Sequence, residues 1–256
     1  MKKYIMTFFL LALVTLWGRI PCGHTAEKIT MNLTPDLIEI GAFYNGTVVK
    51  VSGTIPAGAE AAIRLSGEGE DLHLKKKGKV SGLLWMNIGD LTFHNAPKVY
   101  KLYTSKGLDD LDYNPASDFG FAALINRIEI SPAGEDKDFF IREFVRLKKE
   151  EDLYSQEGNS IHFAPPEAGM KSYEASLAIP PGMKPGTYTV ETAVVQDGSI
   201  IGIASTSLTL KQVGFPAQLL SMAFGHAIWY GIMAVAVAIM AGLLMGILFK
   251  DRGGAH

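Results

Sequence analysis

Along residues 28–104, apolar and polar side chains alternate in short stretches, and this alternation predicts β-strands. Leu37-Ile38-Glu39-Ile40 leads to a turn at Tyr44-Asn45-Gly46; Thr47–Val51 alternates next, and Gly53 and Pro56-Ala57-Gly58 then break the chain. Ala61–Leu65 and Asp71–Leu74 follow as short segments, with Gly67-Glu68-Gly69 read as the turn between them. A period of two places every second side chain on one sheet face. β-branched runs punctuated every ~8–12 residues favour a sandwich over βαβ units.

The period then changes to that of a helix. Asn114-Pro115 can cap and start one, and Phe121, Leu124, Ile125 and Ile128 recur at helical spacing. After a break at Ser131–Gly134, Phe140, Phe144 and Leu147 form a second stripe, with Arg146, Lys148 and Lys149 near its end, where the helix dipole favours cations. The pair, over about 115–154, reads as an insertion between strands that either packs on the sandwich or covers a ligand. Strands return with Tyr173–Ile179, then Pro180-Pro181-Gly182 and Pro185-Gly186. Thr187–Val195 alternates with Tyr188, Val190 and Val194 on one face, and Asp197-Gly198 joins it to Ile200–Leu210. Asp-Gly between two β-patterned runs predicts a tight hairpin. The Pro-Gly turn followed by Thr-Tyr-Thr-Val is typical of the closing strands of an immunoglobulin-like sandwich. The expected fold is therefore mainly β: an immunoglobulin-like β-sandwich with a two-helix insertion, plus one C-terminal transmembrane helix.

That last element follows from residues 212–249, which hold no Asp, Glu, Lys or Arg. The most apolar part, Phe224–Phe249, would cover ~39 Å as a helix, enough for a ~30 Å hydrocarbon layer, and the span is placed at 216–249 with Pro216 in its first turn. Trp229 and Tyr230 suit one headgroup region, and Lys250 and Arg252 suit a cytoplasmic flank. Ala234, Ala238, Gly242 and Gly246 recur every fourth residue, a row that would let a second helix approach closely. At the other end, Met1-Lys2-Lys3 precedes the apolar Phe8–Trp17 and a small residue, Ala26, so residues 1–26 read as a signal peptide, although His24 stands where a small side chain is preferred. Residues 27–215 would then be periplasmic and 250–256 a cytoplasmic tail. The expected localisation is the inner membrane, single-pass, with the N-terminus periplasmic and the C-terminus cytoplasmic.

Composition narrows the chemistry. The single cysteine, Cys22, lies within the signal, which removes disulfides, thiolate metal sites and cysteine nucleophiles from the mature chain. Without residues 1–26, 21 basic residues face 26 acidic ones, a net charge of −5 that argues against nucleic acid as a partner. His73, His94 and His162 stand apart in sequence, with no paired-histidine spacing. Asp110-x-Asp112-x-Asn114 opens like a calcium loop, but Pro115 and Phe121 stand where Gly and Glu are needed. No G-x-S-x-G, S-x-x-K or phosphate-loop pattern occurs. No catalytic residue, metal or cofactor is expected. Lys75, Lys76, Lys77 and Lys79 suit either an anion or lipid-headgroup contact, or an exposed turn guarded by lysine against edge pairing.

Leu83-Leu84-Trp85-Met86-Asn87-Ile88, followed by Phe93, Ala96-Pro97 and Tyr100, resembles a block of an uncharacterised family of predicted bacterial transmembrane proteins, first grouped from alphaproteobacteria. The order of signal, β-rich region and one C-terminal span is similar too, so the likeness extends over nearly the whole chain. The family brings no activity or catalytic residue with it. It implies a transport-accessory role beside a sulfite-exporter-type permease. Trp85, Asn87, Phe93, Pro97 and Tyr100 then read either as sheet and core residues or as a ligand or partner surface. The leading expectation is a non-enzymatic accessory protein whose partners are membrane lipid and either an integral membrane protein or a second copy, met through Ala234, Ala238, Gly242 and Gly246. A tethered small-molecule or carbohydrate-binding module is the alternative, and a hydrolase without a motif stands third.

Overall fold

The computed structural model describes residues 29–80, 82–106, 119–132 and 136–250. The signal expected at 1–26 with Cys22, the Asp110–Pro115 segment and residues 251–256 lie outside the described residues. The chain is mainly β, as its alternation predicts. One sheet holds β1 (Thr30–Thr34), β3 (Thr47–Pro56), β11 (Met170–Ile179) and β10 (Ile161–Phe163), in the order β1-β3-β11-β10. A second holds β2 (Leu37–Ile40), β13 (Ser199–Gln212), β12 (Gly186–Gln196), β4 (Glu60–Ser66), β7 (Tyr100–Thr104) and β9 (Tyr154–Glu157), in the order β2-β13-β12-β4-β7-β9.

These two sheets share one core because their inward positions are apolar at every second residue. Val49 and Val51 of β3 and Leu177 and Ile179 of β11 are buried with Ile63 and Leu65 of β4 and Val190 and Val194 of β12. Two tyrosines stitch the layers where a purely apolar contact would leave polar groups unpaired. The Tyr103 hydroxyl accepts the Ala178 N–H at 3.1 Å, and the Tyr173 hydroxyl lies 3.2 Å from the Thr192 oxygen. Burial pushes the phenols of both above their ordinary pKa. Tyr188, at the start of β12, donates back to the Lys184 carbonyl at 2.7 Å. Gly53 is what lets β1 lie close: a Cβ there would run into the Thr30 carbonyl and the Tyr173 ring.

The Asp197-Gly198 hairpin is present. Both residues have positive φ (50° and 71°), the mirror-image turn that matches strand twist, and Gln196 pairs with Ser199.

Three expectations need correction. Gly67-Glu68-Gly69 is no turn, since Gly67 N–H donates to the Val99 carbonyl and Lys98 N–H to the Glu68 carbonyl, continuing the β4–β7 ladder. The chain instead runs on into β5 (Gly69–Val80), which returns as β6 (Leu84–Pro97), so the lysine run lies in a strand. Lysine disguises that strand because its charged head stays in water while its stem lies along the sheet, and Leu72, Leu74 and Lys76 are in fact the half-buried side. The insertion is also not two helices alone. β8 (Glu129–Ser131), paired with β6, separates α1 (Phe121–Arg127) from α2 (Lys137–Glu150). The buried face of α2 is Ile141, Phe144, Val145 and Lys148; Phe140 is half-buried and Leu147 exposed, so the seam is rotated from the expected stripe.

The C-terminal segment is two helices. α3 (Phe215–Gly225), with Pro216 in its first turn, breaks at His226, and α4 (Ala227–Lys250) follows. Gly225 is a weak point because glycine loses the most backbone freedom in a helix. Of the two, Ala227–Phe249 alone is long and apolar enough to span, with a mean hydropathy of 2.7 over its best window. Its 23 residues reach ~34 Å.

Candidate functional site

The β5–β6 ribbon and α2 together build the most developed surface on the β-rich domain. Their shared floor is a second core, separate from that of the two large sheets: Phe93, Ala96 and Tyr100 meet Leu124, Ile128, Ile141, Phe144 and Tyr154. Phe93 stacks on Phe144 with ring centres 4.5 Å apart, and Phe144 meets Tyr154 edge-on at 6.0 Å. The Tyr154 hydroxyl donates to the Pro97 carbonyl at 2.7 Å. Tyr100 donates to the carbonyls of Phe119 (2.8 Å) and Gly120 (3.1 Å), fastening the start of α1, and burial raises its phenol pKa.

Above this floor, ribbon and helix diverge and leave a groove of about 810 Å³. Leu74, Leu91, Phe139 and Phe140 give it an apolar interior, and Trp85 also lines it. The Lys76 ammonium lies 4.7 Å from the centre of the Phe140 ring. Arg146 on the helix is engaged by Glu143 and Glu150, while Lys75 pairs with Asp90 at 2.6 Å. The arrangement offers an apolar trough with a basic rim on the ribbon side.

The five sequence candidates therefore do not form one surface. Phe93 and Tyr100 are core, Pro97 ends β6, and Trp85 and Asn87 stand far along the ribbon, Trp85 at 68% exposure. Ala234, Ala238, Gly242 and Gly246 all lie exposed on α4.

Two constellations escaped the sequence reading. Arg64 of β4 lies opposite Glu191 of β12, with its Nε 2.9 Å from the carboxylate and its guanidinium 4.3 Å from the Phe119 ring centre. This buried clamp holds the segment entering α1. Across the ribbon, His94 Nδ1 lies 2.9 Å from Asp71 Oδ2, and His94 Nε2 lies 3.1 Å from Ser131 Oγ. The order matches a serine-hydrolase relay, but His94 is 37% and Asp71 57% exposed on an open sheet face. Water there screens the charge that a relay must stabilise, so the line serves as a polar tie joining β5, β6 and β8. Among the described residues no group of three or more His, Cys, Asp or Glu is placed to hold a metal ion.

The tie has a measurable signature. The His94 hydrogen bond, and then the Asn95 N–H, hold the Asp71 carboxyl below the usual carboxylate range. A depressed carboxyl contributes stability above the unfolded pKa of ~4 and loses it as pH falls through the folded value. Carbon-detected NMR titration should show Asp71 titrating low, and rising toward the ordinary range in His94→Ala; an unchanged Asp71 would refute the tie.

No curated protein matches the chain. Residues 28–251 do match a family, Putative transmembrane protein (Alph_Pro_TM), and that stretch takes in both large sheets, the ribbon, the groove and α4. With a single helix fit to span among the described residues and a family match over residues 28–251, the chain belongs to this family of transmembrane proteins.

Proposed function

We propose that this protein is a periplasmic accessory subunit held by α4 in the inner membrane, where it associates with an integral membrane transporter. A sulfite-exporter-type permease is the class that the family resemblance suggests. The observation that carries the reading is the row Ala234, Ala238, Gly242 and Gly246. A Cβ added at Gly242 or Gly246 would meet nothing within 4 Å, so the row is a shallow face along which a second helix can lie close. Lipid tails gain nothing from such a face that they would not gain from leucine, whereas a helix gains backbone contact. The role is proposed as non-catalytic, in keeping with the water-exposed Asp71–His94–Ser131 line. The immunoglobulin-like part of the fold reading belongs here too. It is supported by the β1-β3-β11-β10 order facing β13-β12-β4, and by the Tyr188 hydroxyl turning back to Lys184. Purification in mild detergent should recover a multi-span protein with the native chain and lose it with Gly242→Ile plus Gly246→Ile. Recovery unaffected by the pair, or no membrane partner from either chain, would overturn the proposal.

The groove favours a second reading, a tethered module for an amphipathic small molecule with an acidic end. Its volume is within the range of ordinary ligand sites, and its apolar walls beside Lys75, Lys76 and Lys77 suit that chemistry.

A further inference from the structure

We infer that the tip of the β5–β6 ribbon is a second membrane contact, seated in the headgroup region of the bilayer that α4 crosses. The inference needs the anchor but no protein partner.

Composition at the tip is the first argument. Val80, Leu83, Leu84, Trp85, Met86 and Ile88 are all exposed, Leu83 at 85% and Leu84 at 66%. Isolated exposed apolar residues are ordinary on any surface, but six within nine positions are concentrated at one hairpin end, covering both of its faces. Immediately behind it, residues 72–92 carry four lysines against one acid, Asp90: a net +3 in a chain whose total is −2. Positive charge is thus concentrated where the apolar tip begins. Apolar tip, indole and flanking lysine are the groups that partition to a bilayer's surface, with ammonium heads among phosphates and stems along the acyl boundary. Lys79 already lies 5.5 Å from the Trp85 ring centre.

Strand direction is the second argument, independent of composition. β4 runs antiparallel to β12 and β12 antiparallel to β13, so β4 and β13 run the same way. β13 hands the chain to the membrane segment, and β5 continues β4 in unbroken register through Gly67-Glu68-Gly69. The ribbon therefore leaves the sandwich from the end that faces the anchor. Ser66, Thr189 and Ser207 lie at one level. From that level Val80 is 14 residues onward, ~46 Å along an extended strand. On the anchor side, five strand residues to Gln212 and the 11-residue α3 cover ~16 Å each before α4 begins. The ribbon is long enough to meet the bilayer even with α3 upright.

The test uses the full chain with Cys22→Ser and one introduced cysteine, Leu84→Cys at the tip or Ser199→Cys at the opposite end of the sandwich, labelled with an environment-sensitive fluorophore. Each is reconstituted in phosphatidylcholine vesicles with or without phosphatidylglycerol. In the anionic vesicles the label at 84 should emit to the blue and be quenched by lipids brominated in their acyl chains, while that at 199 stays water-exposed. Exchanging Lys75, Lys76, Lys77 and Lys79 for Gln should weaken the quenching at 84 roughly tenfold or more. A label at 84 that behaves like the one at 199 in both vesicle types overturns the inference. So does protection that appears only in native membranes and never in pure lipid, which would assign the tip to a protein.

Discussion

Replacing Ile239 and Leu243 with Arg should release the protein from membranes under alkaline carbonate, where the native chain stays in the pellet. Both positions lie near the middle of Ala227–Phe249. An Arg at a span's centre costs ~2.5–3.5 kcal/mol on the insertion scale, and each lost Ile or Leu forfeits a further ~0.3–0.6 kcal/mol, so the pair costs ~6–8 kcal/mol. The ten Ile, Val, Leu and Phe residues of α4 supply only ~3–6 kcal/mol on the same scale. The penalty exceeds the driving force that α4 supplies. Retention of the double variant in the carbonate pellet would show that something other than α4 holds the chain.

Phe93→Ala should lower the unfolding free energy by ~3–5 kcal/mol, read from urea denaturation in detergent. The ring is buried and stacked on Phe144, in a core too small to refill the space by collapse. Phe144→Ala should cost a similar amount, and the double variant less than the sum, by ~0.5–1.5 kcal/mol, because the second truncation removes a contact already lost. Trp85→Ala gives the contrast: with the ring exposed, stability should hold within ~0.5 kcal/mol. Equal effects at 85 and 93 would contradict the placement of the two rings.

That contrast marks where sequence reasoning succeeds and where it stops. The Asp197-Gly198 hairpin was legible because everything that specifies it lies within a few residues: a pair able to take positive φ between two alternating runs. Of the strands in the two large sheets, β2, β3, β4, β11, β12 and β13 were legible for the same reason, whereas β1, β7, β9 and β10, each of five residues or fewer, were not picked out. The ribbon was not, because lysine occupies the alternate positions where a strand reader looks for valine or isoleucine, and glycine at 67 and 69 imitates a turn. Aromatic identity alone could not separate Trp85 from Phe93, since both suit a sheet and only the arrival of α2 decides which is covered. Arg64 and Glu191, 127 residues apart, face each other solely through the β4–β12 register, which no local pattern encodes. His94, Asp71 and Ser131 likewise meet across three strands whose pairing the sequence did not disclose. On α4 the small-residue row was plain from its spacing, but the break at His226 was hidden by the uniform greasiness around it.

One feature of the connection to α4 has a mechanical outcome. The Val213 N–H is fastened to the Ile40 carbonyl at 2.9 Å, Gly214 alone separates it from α3, and His226 alone separates α3 from α4. The domain is therefore coupled to α4 through α3 with no free linker. When a thinner or thicker bilayer tilts α4, the swing is handed upward, and a flexible insert at Gly214 would act as a swivel that cuts the transmission.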